Sequence, residues 1–252
     1  MPDRTPRDRC LRYIRYAVCG VLISLMSFEG LAMTESKNVF NDPQVTPIAE
    51  AIFRGDIAQI QQLASEKILQ QRGDQSITLL QWAILNQRPE SLAALLELHA
   101  DPFQPGLQGN SALHTAASVK DAHYLQILLD GRLKPNVRNS ITSATPLAAA
   151  VMAGREVQVM MLLAAGADPN LPDRLGDTPL HLAGKINAPE LALRLLQAGA
   201  NAELRNKQGA NFQQYFAMTP LKLQTNEMQR KYQELNEWLR ANKQAELYLK
   251  QS

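Results

Sequence analysis

A Leu-Leu-type ending recurs along this chain at Leu63, Leu96, Leu129, Leu163 and Leu196, at intervals of 33, 33, 34 and 33 residues. Fifteen residues after each ending, sixteen in one case, stands a small polar residue: Thr78, Ser111, Thr145, Thr178 and, in a degenerate copy, Asn211. A fixed period in this range marks stacked supersecondary units, none of which can bury its apolar face alone. Such a chain folds as a solenoid and offers a long surface in place of a single cleft. The repeats point to a binder.

The clearest units begin Ile77-Thr78-Leu79-Leu80-Gln81-Trp82-Ala83, Asn110-Ser111-Ala112-Leu113-His114-Thr115-Ala116, Ala144-Thr145-Pro146-Leu147-Ala148-Ala149-Ala150 and Asp177-Thr178-Pro179-Leu180-His181-Leu182-Ala183. Their second halves include Leu162-Leu163-Ala164-Ala165-Gly166-Ala167-Asp168 and Leu195-Leu196-Gln197-Ala198-Gly199-Ala200-Asn201. Thr or Ser ahead of a helix accepts a backbone N–H and caps it, worth about 1 kcal/mol. Pro146 and Pro179 sit at the first helical position, where the missing N–H costs nothing. Gly131, Gly166 and Gly199 are expected to end the second helix in a left-handed residue. Stretches such as residues 169–176, rich in Pro, Asn, Asp and Gly, read as turn-forming fingers.

This pattern resembles the ankyrin repeat over about residues 45–218. The resemblance implies an all-α solenoid of helix–turn–helix–finger units, about five in number, with capping helices at both ends. Residues 47–63 read as a degenerate first unit, with Ile57, Ile60 and Leu63 at helical spacing. Residues 219–252 read as a C-terminal capping helix carrying Met228, Tyr232, Leu235, Trp238 and Leu239 along one side. A docking helix for another protein is the alternative there. Residues 33–44, being polar, are expected to be a frayed linker.

The first 32 residues differ in kind. Five arginines, from Arg4 to Arg15, precede an apolar run at residues 17–28, and Gly30-Leu31-Ala32 places small residues before a cleavage point. This is the layout of a secretory signal peptide cut after Ala32; an uncleaved anchor is the alternative. Loss of residues 1–32 would remove five bases and three acids, taking totals of 26 and 24 to 21 each and the net charge from +2 to zero. A neutral chain has nothing to draw nucleic acid or an anionic bilayer to it non-specifically. Both cysteines, Cys10 and Cys19, lie in the same segment, and a thiol-free remainder suits an oxidising periplasm. A soluble, monomeric periplasmic protein is the expectation.

No Gly-rich phosphate loop and no His-Glu-x-x-His or Gly-x-Ser-x-Gly pattern is present. His114 and His181 occupy the family's Thr-Pro-Leu-His position, which the resemblance assigns to hydrogen bonds between neighbouring repeats. His99 stands where other units have the helix-ending glycine, and His123 lacks a second ligand at metal spacing. No catalysis, cofactor or metal is expected.

The resemblance places partner contacts on the exposed side of the first helices and on the finger tips, together a concave face. By register these are Leu85, Asn86, Ser118, Val119, Met152, Ala153, Lys185 and Ile186 on the helices. On the fingers they are Leu107, Gln108, Arg138, Ser140, Ile141, Thr142, Arg174, Leu175, Asp177 and Lys207. Leu85, Val119, Met152 and Ile186 would form an apolar stripe, one residue per unit, of the kind that marks a protein interface; packing against the fingers is the alternative for each. The finger through Asn139-Ser140-Ile141-Thr142-Ser143 is one residue longer than its neighbours and could reach a partner. The partner is expected to be another protein. Among exported ankyrin proteins the resemblance allows two roles: an immunity or accessory protein for a secreted lipase-type toxin, or a scaffold protecting an exported oxidative-stress enzyme.

Overall fold

A computed structural model of the chain describes residues 39–131, 133–217 and 225–242. The expected leader and its cleavage point, residues 33–38, and residues 219–224 and 243–252 of the expected C-terminal helix lie outside them. Helices pair in sequence: α1 (Thr46–Arg54) with α2 (Ile57–Leu63), followed by a single turn, α3 (Glu66–Leu69). Then come α4 (Leu79–Leu85) with α5 (Pro89–Glu97), and α6 (Ala112–Ser118) with α7 (His123–Asp130). These are followed by α8 (Pro146–Met152) with α9 (Glu156–Ala164), and α10 (Pro179–Lys185) with α11 (Pro189–Gln197). The series closes with α12 (Phe212–Phe216) and α13 (Asn226–Ala241). First helices pack on first helices throughout, and second helices pack on second at α2–α5, α5–α7, α9–α11 and α11–α13, giving two layers, with no strand among the described residues.

From α4 onward each first helix starts at the polar landmark. Thr78 Oγ1 accepts from Gln81 N at 3.2 Å, Thr145 Oγ1 from Ala148 N at 3.2 Å and Asn211 Oδ1 from Gln214 N at 3.2 Å. Between helix pairs, turns at residues 73–77, 106–110, 139–144, 173–177 and 206–210 are each closed by one backbone bond. The bonds run from Gly73 N to Ile77 O (2.8 Å), Gly106 N to Asn110 O (2.8 Å), Asn139 N to Ala144 O, Asp173 N to Asp177 O and Asn206 N to Ala210 O (each 2.9 Å). These turns are the fingers.

One expectation about helix ends is corrected. Gly166 and Gly199 are left-handed, with φ of 87° and 92°, but Gly131 has φ of −71°. Register explains it. Gly131 lies two residues past Leu129, the position of Leu98, Ala165 and Ala198, which share its right-handed geometry. The left-handed slot is three past the Leu-Leu ending, and in the first full unit His99 fills it at φ 65°.

The core runs the length of the stack, through Ile52, Trp82, Leu113, Leu147, Leu180 and Phe212, all buried. Its beginning reaches into the expected linker: Val39 and Phe40 are buried, and the Phe40 ring meets Trp82 edge-on at 5.6 Å. Polar flanks hid two apolar residues that close the exposed side of the first layer. At the far end Phe212, Phe216 and Tyr232 form a chain of edge-to-face contacts at 6.1 and 5.5 Å. Tyr232, Leu235 and Leu239 of α13 are buried, Met228 and Trp238 pack beside them, and Lys231 pairs with Glu190 of α11. The helix caps the stack as expected. No described helix is long and apolar enough to cross a membrane.

Candidate protein-interaction face

Two ring systems tie the units together. Ser111 N donates to His114 Nδ1 (3.3 Å), which leaves Nε2 as the protonated nitrogen, donating to Ala144 O of the next unit at 3.0 Å. Thr178 N and His181 Nδ1 (3.1 Å), with His181 Nε2 and Ala210 O (3.0 Å), repeat the arrangement. Burial, partly opposed by the bond to Ala144, lowers the His114 pKa to about 4. Burial also lowers that of His181, with Asp177 opposing. Gln81 fills the same register: Oε1 accepts from Thr78 N (3.2 Å) and Leu107 N (2.9 Å), and Nε2 donates to Asn110 O (3.0 Å) and Thr115 Oγ1 (3.0 Å). The sequence signal for Gln81 is its place three residues after Thr78, where two later units carry histidine.

The apolar stripe is not an open row. Leu85 and Asn86 are each 7% exposed, and Val119, Met152 and Ile186 are half-buried against the core. Each stands at the end of a seven-residue helix or one residue past it, where side chains lean on the adjoining layer. They form the rim of the core. Asn86 donates from Nδ2 to Trp82 O (2.9 Å), and its buried Oδ1 has no hydrogen-bond partner among the described residues. Ser118, Ala153 and Lys185 are half-buried beside this rim.

The finger residues divide. Leu107 is buried, its N–H drawn inward by Gln81. Asp177 is 1% exposed: Oδ2 pairs with Lys185 and Oδ1 accepts from Asn206 Nδ2 at 2.7 Å, while Asn206 also donates to Tyr215 Oη at 2.7 Å. The Lys185 ammonium lies 5.0 Å from the Tyr215 ring centroid. Leu85, Asn86, Leu107 and Asp177 are therefore structural, against the expectation that they face a partner. Arg138 is exposed, but its guanidinium donates to Ser143 O (2.8 Å) and Pro172 O, tying two fingers together. Its charge reversal would test finger integrity and partner contact at once.

Exposed on the tips are Gln108, Ser140, Ile141, Thr142, Arg174, Leu175 and Lys207, with Ile141 at 55% and Leu175 at 48%. Backbone bonds join consecutive tips, from Ser140 N to Gly109 O (3.0 Å), Arg174 N to Thr142 O (2.8 Å) and Lys207 N to Leu175 O (3.0 Å). The tips form one linked edge. Among the described residues no three of His, Cys, Asp and Glu gather where they could hold a metal ion.

Stacked helix pairs, bridging histidines and linked finger turns define a class of repeat protein. A family description reading "Ankyrin repeats (3 copies)" matches residues 113–208, and the chain belongs to the ankyrin-repeat family. Protein PhlB of Serratia liquefaciens is 51% identical over 184 residues, covering 70% of this chain and 81% of PhlB. The E3 ubiquitin-protein ligase KEG of Arabidopsis thaliana is 30% identical over 138 residues, and this chain spans only 8% of its length. Neurogenic locus notch homolog protein 1 of Xenopus tropicalis is 32% identical over 129 residues, and only 5% of it is covered. Among solved structures, the ankyrin repeat domain of Bcl-3 matches with a TM-score of 0.63 at 25% identity, over 75% of this chain and 84% of that one.

Proposed function

We propose that this protein is a non-catalytic module, exported to the periplasm, that binds one protein partner through its finger edge and the adjoining first-helix rim. Ankyrin repeats are protein–protein interaction modules. The observation that carries the reading to this edge is the pairing of Ile141 and Leu175. Both are about half exposed, on neighbouring tips joined by a backbone bond, and neither side chain enters the core or the side-chain bridges between units. A tip backbone already tied by hydrogen bonds has less loop-ordering entropy to lose on docking. His114, His181 and Asp177 are committed to holding repeats together. One role the family resemblance allows is that of an immunity or accessory protein for a secreted lipase-type toxin. A scaffold for an exported oxidative-stress enzyme is the other role the family resemblance allows.

Site-directed photocrosslinking in the native compartment tests it. Probes at positions 141, 175, 152 and 186 should yield one recurrent protein adduct, and a probe at exposed Gln126 on the outer helix α7 should not. Only free chain at all five positions would overturn the reading.

A further inference from the structure

The tips from residue 139 to 210 have a chemistry of their own. Their backbone donors are consumed internally. Ile141 N and Thr142 N both donate to Asn139 Oδ1 (2.8 Å each), Leu175 N to Asp173 Oδ1 (2.8 Å), Gly176 N to Asp173 O (3.0 Å) and Gln208 N to Asn206 Oδ1 (3.0 Å). Ser140, Arg174 and Lys207 spend theirs on the preceding finger. A partner strand therefore finds no free N–H along these tips, and recognition falls to side chains.

Those side chains are sorted by sign. Within the turns the acids turn inward: Asp173 Oδ1 accepts from Leu175 N and from Asp177 N (2.9 Å), and Asp177 is buried against Lys185, while Glu203 before the last turn is exposed. The cations turn outward. Arg138 and Arg205 are exposed with guanidinium bonds to finger carbonyls, Arg205 Nη1 to Gly209 O at 2.8 Å. The Arg174 and Lys207 side chains make no hydrogen bond or ion pair among the described residues, and they flank Leu175 across the tip-to-tip bonds.

We propose that this edge docks a protein segment in which carboxylates alternate with aliphatic side chains. Arg174 and Lys207 pair with the acids, and Ile141 and Leu175 cover the aliphatic groups. Opposite charges across such an edge steer encounter and fix register, and the apolar pair supplies the area buried. The assignment rests on the protein-binding reading above and adds the chemistry of the partner's side.

The test is fluorescence anisotropy of a short labelled peptide alternating Glu and Leu, titrated with the full chain and its variants. The unaltered chain should bind it more weakly as salt rises. Arg174→Glu with Lys207→Glu, and separately Ile141→Ser with Leu175→Ser, should each weaken binding about tenfold or more, about 1.4 kcal/mol, with helical circular dichroism unchanged. Peptides with Lys for Glu, or Ser for Leu, should bind less well. The N-terminal arginines are common to every form of the chain, so the differences among variants report the edge alone. Equal affinity of the tip variants and the unaltered chain, or no binding by the unaltered chain, would overturn the proposal. So would binding that depends on Arg174 and Lys207 but selects phosphatidylglycerol vesicles or duplex DNA over the peptide. If the peptide fails while photocrosslinks at 141 and 175 still capture one protein, the binding reading stands and only the partner chemistry falls.

Discussion

Positions 81, 114 and 181 perform one task with two side-chain types. Each caps its own helix and donates to a carbonyl of the following unit: Asn110 O, Ala144 O and Ala210 O. His114 reaches 30 residues ahead, where the other two reach 29, which absorbs the extra residue of that finger. The ring must be neutral, because Nδ1 accepts from Ser111 N. A folded-state pKa near 4, held down by burial, lies below the usual 6.5. As pH falls through 6.5 the unfolded chain takes a proton that the folded chain refuses. The stability from this ring is therefore full above about pH 6.5, declines by about 3 kcal/mol towards pH 4, and is level below that. His181 adds to the loss in the same direction. His114→Gln should keep the bridge, as Gln81 does, and remove most of this slope. Urea denaturation of both forms between pH 7 and 4 checks it, and an unchanged slope would reassign the acid sensitivity to other groups.

At the scale of the element, a seven-residue helix is too short to stand alone in water, where about 12 residues are marginal. Caps start these helices, but stacking decides whether they persist. Gly184 in α10 shows how tight that stacking is, since a Cβ there would lie 2.6 Å from Phe212 O and 3.1 Å from Tyr215 Cβ. The equivalent residues in earlier units are Ile84, Ala117 and Val151. Here the following helix brings aromatics, and glycine makes room for them. Gly184→Ala gains about 1 kcal/mol of helix propensity, but a backbone carbonyl cannot rotate aside as a side chain would. Overpacking should win, with a net loss of about 1–2 kcal/mol in equilibrium denaturation. A stabilised variant would show that α10 and α12 can part without penalty.

For the whole molecule, stability is a sum of units and the contacts between neighbours, so its ends matter most. Phe40 closes one end on Trp82, and Tyr232, Leu235 and Leu239 close the other. Leu235→Ala should cost about 2–5 kcal/mol by leaving a cavity under the cap. The loss should be local first: amides of α11 and α12 should exchange faster with deuterium while those of α4 and α5 keep their protection. Uniform acceleration from α1 to α13 would mean that the stack opens as one block.

What the sequence determined by itself is whatever the backbone demands again every 33 or so residues: the caps at Thr78, Thr145 and Asn211, the bridging histidines, the finger turns and the apolar side of α13. These needs are local, so they leave the same mark in each unit and can be read by register. Gly131 shows that residue type alone does not place the left-handed slot, which is set by the count from Leu129. The tertiary structure decided which residues of the face meet solvent. Leu85, Asn86 and Leu107 go under, Asp177 is buried because Lys185 and Asn206 are there to receive it, and Ile141 and Leu175 stay out. Burial depends on what the neighbouring unit brings to the contact, and that is settled by residues some 30 positions away, beyond any local pattern.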